Sequence, residues 1–78
     1  MNYNLVLEIK SKDIESLYAI AKSEVGKKDR SEIIIKKKNG LIIFNILAKD
    51  IVALKASTNH IYKTIETFEK ALNLVENG

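Results

Sequence analysis

The chain has 78 residues, 46% of them hydrophobic and 29% charged, with three glycines and no proline. That composition describes one globular domain covering residues 1–78, too small for a multi-site enzyme and too apolar for a disordered chain. There is no cysteine and one histidine, His60, which excludes disulfide frameworks, thiolate or histidine-cluster metal sites and thiol catalysis, so no cofactor is expected. No apolar run approaches the roughly 18 to 20 residues of a membrane span, and no leader-like segment opens the chain. A soluble cytoplasmic protein without a membrane partner is the expectation. Thirteen basic residues against ten acidic ones give a net charge of +3, a mild lean toward anionic partners.

Tyr3, Leu5, Leu7 and Ile9 alternate with Asn4, Val6, Glu8 and Lys10, the period of a half-buried strand. Ser11 and Asp13 then offer cap oxygens. Ile14, Leu17, Tyr18, Ala21 and Val25 recur at the spacing of one helix face, with Gly26 placed as its stop.

Two β-branched runs follow, separated by Asn39-Gly40, a pair that accepts positive φ at both centres of a type I′ hairpin. Counting outward from this turn pairs Lys38 with Leu41, Lys36 with Ile43, Ile35 with Phe44, Ile34 with Asn45 and Ile33 with Ile46. One face then carries Ile33, Ile35, Ile42, Phe44, Ile46 and Ala48. The other carries Ile34, Leu41, Ile43 and Leu47, more apolar than an ordinary solvent face and therefore a contact surface in expectation.

Asp50 stands before Ile51, Leu54, Thr58, Ile61, Ile65, Phe68, Leu72 and Val75, which step by three and four residues in strict alternation. This predicts a helix to the end of the chain, about 40 Å long. A compact chain of this length has a diameter of only about 30 Å. The helix should therefore outreach its sheet and leave Phe68, Leu72 and Val75 for a partner helix. The order strand, helix, strand, strand, helix predicts a two-layer α+β domain: a three-stranded antiparallel sheet, first strand beside third, with two helices on one face.

No catalytic constellation emerges. Asp13, Asp29 and Asp50 sit at element boundaries, where capping explains them, and His60 on a helix reads as a surface or packing residue. Gly26-Lys27-Lys28-Asp29 lacks the second glycine of the clamp that KH domains use for single-stranded RNA. Basic residues cluster instead: Lys27, Lys28, Arg30, Lys36, Lys37 and Lys38 are six of the 13. On the last helix Lys55, Asn59 and Lys63 recur every four residues beside Tyr62, the pattern of a ridge that contacts phosphate or a protein partner.

Arg30-Ser31-Glu32-Ile33, the strand ending Ala48-Lys49-Asp50, Ala53-Leu54-Lys55-Ala56 and Asn59-His60-Ile61-Tyr62-Lys63 resemble the Pcc (CTAG/Pcc) family over nearly the whole chain. These are the small dimerising subunits of the KEOPS complex. Lysine stands at 55 and 63 where the family commonly has arginine, which keeps the charge and loses the bidentate geometry. The resemblance implies a non-catalytic subunit that supports threonylcarbamoyl modification of the adenosine next to the anticodon in tRNA. Its implied partners are the KEOPS transferase subunit, which holds the active site, a second copy or a paralogue, and tRNA within the complex.

On that reading Arg30, Lys55 and Lys63 contact tRNA, while Asn59, Tyr62, Phe68, Leu72 and Val75 face the transferase subunit. Val6, Ile34, Leu41, Ile43 and Leu47 form the homodimer surface, through the sheet face or its edge, with the face preferred. A stand-alone RNA-binding module and a purely structural paralogue are the alternatives.

Overall fold

The computed structural model describes residues 2–77, with side chains described for 2–74. Its elements are β1 (Tyr3–Lys10), α1 (Ile14–Ala21), β2 (Gly26–Lys27), β3 (Ser31–Lys38), β4 (Leu41–Ala48) and α2 (Ile51–Asn77). The fold is α+β, as the sequence predicts, but the antiparallel sheet has four strands in the order β1-β4-β3-β2 rather than three.

The hairpin follows the expected register, from Lys38↔Leu41 to Ile33↔Ile46. Asn39 at φ 52 and Gly40 at φ 76 supply the two positive angles of the turn. β1 lies beside β4, its odd residues opposite the inward side chains of β4: Leu5↔Ile46, Leu7↔Phe44 and Ile9↔Ile42.

α1 starts where Asp13 Oδ1 accepts the Ser16 N–H at 3.2 Å. The Ser16 side chain first, and then this amide, hold the Asp13 carboxyl below its ordinary range. The helix is shorter than its periodicity predicts, and Gly26 is not its stop. After Ala21 the backbone tightens into a 3₁₀ turn over Lys22–Glu24, Val25 becomes extended, and Gly26 enters β2. Gly26 and Lys27 pair with Ile33 and Glu32, satisfying backbone groups on the edge of β3 that helix continuation would leave unpaired. The Lys28 N–H reaches the Ser31 carbonyl at 2.7 Å to close the turn into β3.

Between the sheet and the helices lie Leu17, Ala21, Ile33, Ile42, Phe44, Ile46, Ile61 and Phe68, with Leu5, Leu7, Ile9, Leu54 and Ile65 packed around them. Burying each large apolar side chain contributes about 1.5–3 kcal/mol. The long axis of the molecule, 43 Å, matches the length of the 27-residue α2, and the radius of gyration of 13.1 Å exceeds the roughly 11.5 Å of a compact chain this size. The overhang predicted for α2 is present.

Candidate partner-binding and nucleic-acid surfaces

Asp50 opens α2 by accepting the Ala53 N–H on Oδ1 at 2.8 Å. Arg30 grips the same carboxylate, Nε to Oδ2 at 3.0 Å and Nη2 to both oxygens at 2.7 Å. The Ala53 amide first, and then Arg30, hold the Asp50 carboxyl below its ordinary range. Arg30, expected at tRNA phosphate, is thus committed to the start of α2. Its charge is already matched.

Lys55 and Lys63 are in a different state. Both are exposed, and among the described residues neither is in an ion pair. They stand on one stripe of α2 with Val52, Asn59, Tyr62 and Glu66, all exposed and three or four residues apart, the spacing that places side chains on one helix face. Ala56, Asn59, Tyr62, Lys63 and Glu66 border a shallow depression on this face. Val52 and Tyr62, 65% and 50% exposed, set apolar surface among the cations. Such a stripe offers both charge and apolar area to a ligand.

No family model, curated protein or solved structure matches the chain.

His60, read from sequence as a surface or packing residue, sits where three recesses meet. On one side an apolar groove between α1 and α2 is lined by Ile20, Thr67, Phe68 and Ala71. Glu24 fastens this groove, accepting from Thr64 Oγ1 at 3.1 Å and lying 2.5 Å from His60 Nε2. On the other side a polar recess is lined by Lys28, Arg30, Ser31 and Ser57, with Ser57 Oγ donating to the buried Ser31 Oγ at 2.9 Å. The periodicity of α2 alone placed His60 off the core. Only the pairing with Glu24, 36 positions earlier in the numbering, gives it a structural task.

The residues expected to overhang the sheet divide. Phe68 is 8% exposed and belongs to the core, and Leu72 is half-buried against it. The physical reason is length: Phe68 lies 17 residues beyond Ile51, about 26 Å along the helix, still above eight-residue strands that extend about 27 Å. The side chain of Val75 lies outside the described residues. Among the described residues, Leu74, 74% exposed, is the apolar side chain that the end of α2 presents.

Val6, Ile34, Leu41, Ile43 and Leu47 share the outer sheet face, Val6 exposed and the rest half-buried. The registers interleave them with Asn4, Glu8, Lys10, Glu32, Lys36, Lys38 and Asn45. Asn45 Oδ1 is shielded there and, among the described residues, has no hydrogen-bond partner. Of the three consecutive lysines, Lys37 turns inward, reaching Glu15 at 2.7 and 2.9 Å and standing 5.1 Å from the Tyr18 ring centroid. Lys36 and Lys38 remain exposed on the outer face.

Proposed function

We propose that the chain is a non-catalytic subunit of the KEOPS complex that acts in the cytoplasm, binds the transferase subunit through its helices, associates with a second copy or a paralogue, and assists threonylcarbamoyl modification of tRNA next to the anticodon. The observation that carries this reading is the stripe of Lys55, Asn59 and Lys63. These are residues on which the family resemblance rests, and they are exposed together on the first half of α2.

The supporting physics is a division of labour along α2. The inward positions Leu54, Ile61, Ile65 and Phe68 are consumed by the core. The outward positions combine cations with Val52 and Tyr62, a mixture that fits a protein partner and a phosphate backbone at the same time. Lysines on a helix face position phosphate and carry little base information, which suits a subunit serving many tRNAs. Arg30 acts in this reading as the anchor of α2 and contributes to tRNA only through the lysines it helps to place.

The test is capture of the purified chain by the transferase subunit, with and without tRNA. Capture strengthened by tRNA supports the proposal. Capture with no effect on tRNA leaves a purely structural subunit, and tRNA binding without capture, steeply salt-dependent, makes the chain a stand-alone RNA-binding module.

A further inference from the structure

We propose that the depression at Tyr62 and the polar recess at Ser57 form one track for an unpaired segment of RNA, in which Tyr62 seats a base and Lys63 and Lys28 hold phosphates at the two ends. This deepens the tRNA contact proposed above and rests on it.

The two recesses meet at Ala56 and His60, which line both. Ala56 offers only a methyl group, so the wall between them is low there, and His60 is fixed by Glu24. At about 100° per residue, Tyr62 stands on one edge of the exposed stripe of α2 and Lys63 toward the other, with Asn59 and Glu66 between them. From this floor the track crosses the helix to the start of β3, where Lys28, Ser31 and Ser57 line its far end. It measures about 450 Å³ on the Tyr62 side and about 380 Å³ on the Ser57 side, each the size of a site that holds one small molecule.

Tyr62 is the most exposed aromatic ring among the described residues. Phe44 and Phe68 are buried in the core, and Tyr18 is half-buried with the Lys22 and Lys37 ammonium groups over its ring. Tyr62 is 50% exposed and borders a depression whose Asn59, His60, Lys63 and Glu66 walls are polar. Lysine, glutamate and alanine are depleted at the centre of protein interfaces, so this lining suits a different ligand. A base stacks on an aromatic face and turns its edge to polar groups. Asn59 offers a donor and an acceptor, and Glu66 accepts an N–H, a group that every base carries on its pairing edge. Neither side chain has a hydrogen-bond partner among the described residues.

In the recess the chemistry turns from base to backbone. Ser57 Oγ donates to the buried Ser31 Oγ at 2.9 Å. Whichever way the pair rotates, one hydroxyl proton is left over, beside oxygens with free lone pairs. That matches the ribose 2′-hydroxyl, which both donates and accepts. Lys28 and Lys63 are exposed and, among the described residues, in no ion pair, whereas Arg30 is spent on Asp50. Asp29 also lines the recess and opposes phosphate beside it, which places sugar at the serines and phosphate at the lysines. A duplex keeps its bases stacked and its pairing edges hidden, so it makes no use of Tyr62.

Anisotropy of a labelled RNA octamer of uridine, its deoxy counterpart and a blunt RNA hairpin tests this at low salt, on the purified chain and on its complex with the transferase subunit. The RNA octamer should bind more tightly than its deoxy counterpart. Tyr62→Ala should weaken octamer binding about 5- to 150-fold, the worth of one base–aromatic stack, and leave the hairpin unchanged. Tyr62→Phe should keep the affinity while abolishing the quenching of tyrosine emission that the octamer causes in the wild type, a readout that stands even if Tyr62→Ala does not fold. Lys28→Ala should flatten the logarithmic salt dependence by about 0.7. Equal losses for octamer and hairpin, or quenching that persists in Tyr62→Phe, overturn the base seat while the phosphate contacts of the stripe stand. Octamer binding that survives Tyr62→Ala while transferase capture falls makes the depression a protein interface and overturns the track. Equal affinity for the deoxy octamer overturns the assignment to RNA. A chain and complex that bind none of the probes overturn both the track and the tRNA contact.

Discussion

Arg30 and Asp50 are bound to each other by three hydrogen bonds of 2.7–3.0 Å, tying the turn before β3 to the residue immediately before α2. The aspartate also caps the helix through the Ala53 amide. One carboxylate thus holds two elements in place.

Asp50→Ala removes the cap and frees Arg30, so it should lower the melting temperature at neutral pH. Arg30→Ala should lower it less, because the Ala53 amide is the larger cause of the depressed Asp50 pKa and survives that change. The folded-state pKa lies below the unfolded one. The stabilisation is therefore fully present above the unfolded value of about 3.9 and is lost as pH falls through the folded value. Thermal melts from neutral pH to strong acid should show wild type and Asp50→Ala converging; a constant gap contradicts the assignment.

Phe68→Ala should cost about 3–5 kcal/mol, against about 4–12 kcal/mol of total stability for a chain of this length. Any loss of partner binding by that variant will track unfolding. Leu74→Lys and Tyr62→Ala alter exposed positions and should shift stability by about 0.5 kcal/mol or less. Denaturant melts beside transferase capture separate the two classes: reduced capture without reduced stability is expected only for Leu74 and Tyr62.

Gly26 at φ +148 has nothing within 4 Å of where a β-carbon would stand. Gly26→Ala should nevertheless destabilise by about 1–3 kcal/mol, because the backbone angle and not space is the constraint. A urea midpoint unchanged from wild type, with β2 intact by amide exchange, contradicts this.

Lys55→Glu with Lys63→Glu should weaken tRNA binding by the assembled complex and flatten its logarithmic salt dependence by about 1.4 to 1.8, the release expected from two lost phosphate contacts. The subunit should stay bound. Dissociation of the subunit instead makes the stripe a protein interface, and normal modification across salt concentrations removes tRNA from the account.

Much of the fold was legible because its determinants are local. Asn39-Gly40 specifies the turn, a two-residue turn specifies the register, and the register decides which isoleucines face inward. The three-and-four spacing names the buried stripe of α2 in the same way from Leu54 to Leu72, including Thr58, buried with its hydroxyl unpartnered among the described residues, whereas Ile51, the first member of the pattern, is 58% exposed. β2 was hidden because two residues, Gly26 and Lys27, are too few to show a period, and Gly26 serves a helix stop and a strand entry equally well.

The reach of the core along α2 was also hidden. The apolar stripe shows which side of the helix is buried but not how far the sheet extends beneath it, and Phe68 falls within that span. Periodicity marks Lys55, Asn59 and Lys63 as outward without distinguishing a free cation from a paired one. Arg30 and Lys37 looked equally available until Asp50 and Glu15 were brought beside them. Pattern along a chain determines which face a side chain takes. Only packing between distant segments decides what it meets there, because the partners of Arg30, Lys37 and His60 are set by where the loops and helices come to rest on the sheet.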